Sequence, residues 1–210
     1  MRGAEEVGNP AEHTKKGDSL RTMQTAYIGM GSNLASAAGN PEATIVAAAE
    51  RLAALGHLGG RSSLYSTEPV GFADQPRFLN AVVALETDLD ARALLQALLR
   101  IEQEFGRDRW ASQRNGPRTL DLDILVFGDE RISEPGLEIP HPRMEEREFV
   151  LIPLLEMAST DQSANRPKVV TQLLQTSPRR SPGQSHEVVP FQSTAWRAHG
   201  FRHGDPSGAA

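Results

Sequence analysis

The chain has 210 residues, 39% of them hydrophobic, which suits one globular domain with a sizeable core plus polar extension. Its formal charge of -5 gives no overall electrostatic reason to expect a nucleic-acid or anionic-membrane partner. The absence of cysteine removes disulfides, thiolate catalysis and cysteine-ligated zinc, and leaves carboxylates and histidines as metal ligands.

Residues 1–22 are polar and aperiodic and contain no apolar run, so they are expected to be a disordered extension or tag. No secretory signal or membrane anchor is recognised there, and a cytoplasmic location is expected. Residues 25–30 (TAYIGM) read as a short buried strand. Asn40-Pro41-Glu42 opens a helix: Asn caps, Pro fits the first helical position, and Glu complements the positive end of the dipole. Ile45, Ala49, Leu52 and Leu55 give that helix one apolar stripe. Residues 61–66 (RSSLYS) form a weaker strand candidate and residues 78–86 (FLNAVVALE) a strong one, with a turn-rich loop at 67–76 between them. A second helix is predicted over 90–105, with Leu94, Leu98, Ile101 and Phe105 inward and Gly106 as its stop. The clearest strand is 119–127 (TLDLDILVF), and a third helix is predicted over 146–157, with Pro153 absorbed by a kink or by the first turn.

Strand, helix, strand, strand, helix, strand and a terminal helix is the order of an α+β, ferredoxin-like split βαβ sandwich. Such a fold has an antiparallel sheet with helices on one face, and the open face is where a site would form. The domain is expected to span 23–157. From 158 to 210 Ser, Pro, Gln and Arg dominate, so a largely disordered tail is expected, with a short helix at 169–174.

In TLDLDILVF the alternation puts Leu120, Leu122 and Ile124 on one sheet face and Asp121 and Asp123 on the other. A rise of roughly 3.3 Å per residue separates the two carboxylates by about 6 to 7 Å along the strand, a spacing that suits hard cations bridging to a phosphate chain. Magnesium fits a carboxylate-and-water site completed by phosphate oxygens. The alternative is a pair of solvated strand residues, although Asp is depleted in strands. The loop before the strand carries Arg107, Arg109, Arg114 and Arg118, whose guanidinium forks match phosphate oxygens. A solvated basic loop pairing with Glu102, Glu104 and Asp108 is the competing reading.

His141, held between Pro140 and Pro142 with Arg147 six residues on, is either structural or a phosphate donor or proton carrier. Phe78 and Asn80 share a strand face near the 67–72 loop and suit a flat heterocycle, the ring stacking and the amide reading its edge. Phe78 as plain core and Asn80 as a strand-end residue remains equally open. Gly29-Met30-Gly31-Ser32-Asn33 lacks the third glycine of a dinucleotide fingerprint and the Gly-Lys-Ser or Gly-Lys-Thr of a P-loop. It is read as a tight turn approaching a ligand or another strand.

AYIGMGSN, YSTEPVGFADQPRFLNAVVALET, RNGPRTLDLDILVFGD and IPHPRMEEREFVLIPL, in this order between residues 26 and 157, resemble the hydroxymethyl-dihydropterin pyrophosphokinase family of the folate pathway. The most specific part is Gly116-Pro117-Arg118 followed by Asp121-Leu122-Asp123. The resemblance implies transfer of pyrophosphate from ATP, the co-substrate, to a pterin alcohol. It implies that Asp121 and Asp123 hold two magnesium ions, that Arg107 and Arg109 lie on a mobile catalytic loop, and that Arg114, Arg118, His141 and Arg147 contact the nucleotide's phosphates. Glu102 and Ile124 would belong to the nucleotide site. Thr67, Val70 and Asn80 would hydrogen-bond the pterin, with Phe78 and Phe149 stacking on its faces.

The chain departs from the family at Asn115, where Trp is frequent, in one extra loop residue with Trp110 placed earlier, and after Met157. A monomer acting on small molecules, with no nucleic-acid or membrane partner, is expected. A nucleotidyltransferase attacking the α-phosphorus is the nearest rival, and an RNA-binding sheet is a rival from another class, disfavoured by the acidic charge and the lack of an aromatic RNP pattern.

Overall fold

The computed structural model describes residues 23–108, 115–160, 166–176 and 188–198. Its elements follow as β1 (Gln24–Ser32), α1 (Pro41–Ala53), β2 (His57–Arg61), β3 (Leu64–Thr67), β4 (Phe78–Thr87), α2 (Ala91–Glu104), β5 (Asp121–Phe127), β6 (Ile132–Glu134), β7 (Leu137–Ile139), α3 (Glu148–Thr160), α4 (Lys168–Thr176), β8 (Val188–Phe191) and α5 (Thr194–Ala198). One antiparallel sheet runs β5-β1-β4-β3-β8, with β2 also paired to β4, and β6 and β7 form a separate two-stranded ribbon. Strand β1 lies between β4 and β5, and α1 and α2 make the two crossovers, as a split βαβ fold requires.

Local signals set both crossover helices. Asn40 Oδ1 accepts the Ala43 N–H at 2.9 Å ahead of Pro41, and Asp90 Oδ1 accepts the Ala93 N–H at 2.7 Å, so each helix begins with a satisfied cap. Helix α2 stops at Gly106, whose φ of 81° only glycine adopts without strain. Ile45 and Leu52 of α1 and Leu94 and Leu98 of α2 pack with Ile28, Leu85 and Leu122 in one core under the sheet.

The other face is less open than the sequence suggests. Helices α3 and α4 lie over one end of it, where Leu154, Met157, Val170 and Leu173 bury Tyr27, Val82, Leu125 and Val126. The near-continuous apolar run of β4 foretells burial on both faces rather than one. On β5 the pairing with β1 shifts so that Tyr27 meets Val126 and Ile28 meets Ile124, leaving Leu125 as an extra residue. That bulge turns both Leu125 and Val126 toward α3. Helix α3 is further tied down by Glu156, which accepts from Ser63 N–H (2.9 Å), Ser63 Oγ (2.7 Å) and the Tyr65 hydroxyl (2.8 Å). Burial and this carboxylate raise the Tyr65 pKa.

Beyond residue 157 a largely disordered tail was the expectation, and the described parts of it are folded. Helix α4 contains the expected 169–174 segment, β8 adds an edge strand beside β3, and Trp196 of α5 is 2% exposed with Nε1 donating to the Ser62 carbonyl at 2.9 Å. These pieces are short, so their stability comes from long-range pairing that no local periodicity reports. The β6-β7 ribbon, three residues a strand, escaped for the same reason, and the single strand expected at 61–66 is instead two, broken between Arg61 and Leu64. Among the described residues no helix is long and apolar enough to cross a membrane.

If the C-terminal segment is part of the domain, Trp196→Ala should cost about 3–5 kcal/mol in unfolding free energy, measured by denaturant titration. A loss below about 1 kcal/mol would show the segment to be dispensable.

Candidate active site

Strand register builds the floor of the site. Asp121 on β5 lies opposite Gly31 on β1, Gly31 opposite Asn80 on β4, and Asn80 opposite Tyr65 on β3, while Asp123 lies opposite Gly29. With Leu122 and Ile124 in the core, both aspartates project to the other face. Gly29 and Gly31 are therefore interior strand positions rather than a tight turn, and they leave space between the carboxylates and the amide. A Cβ on Gly31 would stand 2.9 Å from Asn80 Oδ1.

Above this floor a cleft is lined by Thr67, Val70, Phe78, Asn80, Arg118, Asp121, Asp123, Arg147 and Phe149, all expected site residues, together with Gly31, Glu68, Asn115 and Arg143. Asn80 Nδ2 donates to Thr67 Oγ1 at 2.7 Å, which fixes the amide in a buried position. The Arg118 guanidinium lies 5.2 Å from the Phe78 ring centroid, and that of Arg147 lies 5.7 Å from Phe149. Each aromatic wall thus carries a cation.

Asp121 is paired on both oxygens: Oδ1 with Arg107 Nη2 at 3.1 Å and Oδ2 with Arg118 Nη1 at 2.9 Å. The Nε of Arg118 is buried and has no hydrogen-bond partner, a donor available to an arriving anion. His141 sits behind the cleft wall. Its N–H donates to the Leu125 carbonyl at 2.8 Å, and its Nδ1 accepts the Arg143 N–H at 3.2 Å, so a neutral ring carries its proton on Nε2. Burial, then Arg147 and Arg143, lower its pKa against the opposing pull of Asp121 and Glu138. Burial and Arg143 likewise lower the pKa of Arg147.

Two expected nucleotide residues do not line this cleft. Glu102 is fully buried under β5, where its Oε1 accepts the Leu122 N–H at 2.8 Å, and the Ile124 side chain belongs to the core. Their side chains do not enter the cleft. Arg109 and Arg114 lie outside the described residues. Arg143 and Glu68 were not singled out from sequence, because an arginine or glutamate in a turn-rich segment has no distinguishing pattern of its own.

The donor set is selective. Asp121 and Asp123 face the cleft together, Glu68, which also lines it, is paired with Arg77, and no group of three or more His, Cys, Asp or Glu able to hold a metal occurs among the described residues. That composition fits magnesium, which takes one or two carboxylates and completes its shell with water and phosphate, and does not fit an all-protein calcium cage or a structural zinc site.

The family profile of 7,8-dihydro-6-hydroxymethylpterin-pyrophosphokinase (HPPK) matches residues 27–159. The chain belongs to that family. A Haemophilus influenzae 2-amino-4-hydroxy-6-hydroxymethyldihydropteridine pyrophosphokinase is 45% identical over 154 residues, spanning 72% of this chain and 92% of that one. The folate synthesis bifunctional protein of Arabidopsis thaliana is 41% identical over 145 residues, spanning 69% of this chain and 29% of its own length. A crystal structure of Plasmodium falciparum HPPK-DHPS with pterin and p-hydroxybenzoate shares the fold, with a TM-score of 0.50, 17% identity, and coverage of 67% of this chain and 41% of that one. Membership makes this chain an enzyme, a transferase with kinase chemistry in folate biosynthesis.

The lowered pKa of His141 has a signed consequence. A histidine whose folded pKa lies below the unfolded value makes stability rise with pH through the interval between the two. Its penalty on the fold is absent above the ordinary value of 6.5 and grows as pH falls. Proton-resonance titration should therefore place the His141 midpoint below 6.5, and a midpoint above that value would contradict the electrostatic description.

Proposed function

We propose that this enzyme transfers pyrophosphate from ATP to the hydroxymethyl group of 6-hydroxymethyl-7,8-dihydropterin and releases AMP. The observation that carries the reading is the joining, in one cleft, of the Asp121 and Asp123 carboxylates with an aromatic pair and a fixed amide. Phe78 and Phe149 are flat apolar walls for a bicyclic ring, and Asn80 with Thr67 offers polar contacts to its edge. Arg118 and Arg147 lie toward the carboxylates, where a triphosphate would run. Family membership supports the same substrates, since a relative 45% identical carries the pyrophosphokinase name.

In the proposed reaction the hydroxymethyl oxygen attacks the β-phosphorus in line. The bond from that phosphorus to the α,β-bridging oxygen breaks, AMP departs with that oxygen, and the alcohol proton is lost. The chain's contribution is position and charge. Phe78 and Phe149 align the ring, Asn80 fixes its rotation, and Arg118 and Arg147 hold phosphate oxygens in line with the alcohol. Two magnesium ions held by Asp121 and Asp123 would supply neutralisation of the phosphate charge. Arg107 and Arg118 both pair with Asp121. Arg107 and Arg118 would turn to phosphate oxygens, which are strong multidentate acceptors, were Asp121 to hold a cation.

Asp123→Ala tests the reading. With saturating ATP, the pterin alcohol and magnesium, AMP formation should fall on the order of a thousandfold or more. Near-normal turnover would end the metal assignment, and pyrophosphate in place of AMP from the unmodified enzyme would make it a nucleotidyltransferase.

A further inference from the structure

The C-terminal strand reaches the heterocycle side of the cleft from behind. Strand β8 lies beside β3 at the sheet edge opposite β5, and it stands beyond the segment that the family profile matches, which ends at residue 159. Val188 lies opposite Thr67, and Thr67 lies opposite Phe78, so the three form one row across β8, β3 and β4. Residues opposite each other project to the same face of a sheet; Thr67 and Phe78 line the cleft, so Val188 faces the cleft side too. It does not line the cleft itself. It is 2% exposed, in a small buried cluster with Tyr65 of β3 and Ile152 of α3, and Phe149 packs against that cluster. One valine therefore stands behind two parts of the heterocycle site, the Thr67 end of β3 and the Phe149 wall.

Both parts need support on that side. Strand β3 has four residues, and without β8 it would be an edge strand whose last residue, Thr67, carries the hydroxyl that fixes Asn80. Phe149 lines the cleft and is half-buried, so packing against the cluster limits where its ring can turn. A ring that has to be immobilised when ligand arrives takes that entropy out of the affinity, whereas one already held does not. The nucleotide side is out of reach of this support, because Asp121 and Asp123 lie on β5, separated from β8 by β1, β4 and β3. We infer that Val188 is a positioning residue for the flat heterocycle: through it the C-terminal strand preorganises Phe149 and Thr67 and so sets heterocycle affinity. The inference rests on the proposed pterin site and adds to it an element from outside the matched family segment.

Val188→Ala removes the support and leaves the backbone pairing of β8 in place. In steady-state kinetics with magnesium, KM for the pterin alcohol should rise about fivefold, as expected when one side chain has to be ordered on binding, while kcat and KM for ATP stay within about twofold. Val189→Ala is the control. Val189 lies opposite Ser66, is 36% exposed and projects to the other face, so its truncation should leave both KM values unchanged. Val188→Thr keeps the branched shape and the strand preference, and so keeps the fold where the alanine form loses it. By setting a hydroxyl against the apolar cluster it should raise KM for the pterin alcohol in the same sense, about threefold. Parallel increases for pterin and ATP, a lowered thermal midpoint with KM for the pterin unmoved, or an equal effect from Val189→Ala would each show a structural role only and overturn the inference. No turnover of the pterin alcohol by the unmodified enzyme would instead overturn the functional reading, and the positioning role with it.

Discussion

The arrangement of the cleft depends on the burial of two side chains on β5 and of Leu120 immediately before it. Leu120, Leu122 and Ile124 are between 0% and 5% exposed, and each faces the helices. Alternation along a strand then leaves Asp121 and Asp123 no direction but the opposite face. A slip of one residue would put two carboxylates into the apolar core and three large hydrophobics into the cleft, a cost far beyond the whole stability of a domain this size. The register is therefore set by the core, and the active face inherits it. Strand β1 completes the arrangement by placing Gly31 beside Asp121, where any side chain would crowd Asn80.

From that register the charge distribution follows. Asp121 meets two guanidinium groups because the chain enters β5 through Arg118 and leaves α2 through Arg107. Both pairs are partly buried, so their attraction is less screened than at a surface, and a polyphosphate with its cations can exchange partners within one site rather than desolvate new charges. Burial and the neighbouring Arg147 and Arg143 lower the pKa of His141, which disfavours a further positive charge beside the cleft. The aromatic walls sit one strand away, on β4 and at the start of α3, close enough for a ring and a phosphate chain to be held by one set of elements.

The alternation that positions the aspartates was readable directly from TLDLDILVF, and the two crossover helices from Asn40, Asp90 and Gly106, because in each case the signal is local and periodic. The antiparallel split βαβ arrangement followed from element order. The C-terminal strand and Trp196 were not readable, since their burial depends on β3 and Ser62, more than a hundred residues earlier. Gly31 was noticed for its flexibility, whereas its value is the absence of a side chain in an extended strand. Val188 gave no signal at all. Two adjacent valines in a polar tail look alike in the sequence, and only coordinates reveal which of them lies opposite Thr67. Glu102 and Ile124 entered through family likeness, and the structure gives their side chains to the core.

The central claim is that Asp121 and Asp123 hold divalent cations jointly with a nucleotide. Manganese, which substitutes for magnesium and broadens nearby resonances, tests this without turnover. With a non-hydrolysable ATP analogue present, the unmodified enzyme should bind two manganese ions per chain and lose signal from residues around Gly31 and Asn80, and Asp121→Asn combined with Asp123→Asn should abolish both effects. Equal manganese binding by the doubly substituted enzyme, or broadening confined to a site away from this cleft, would contradict the account.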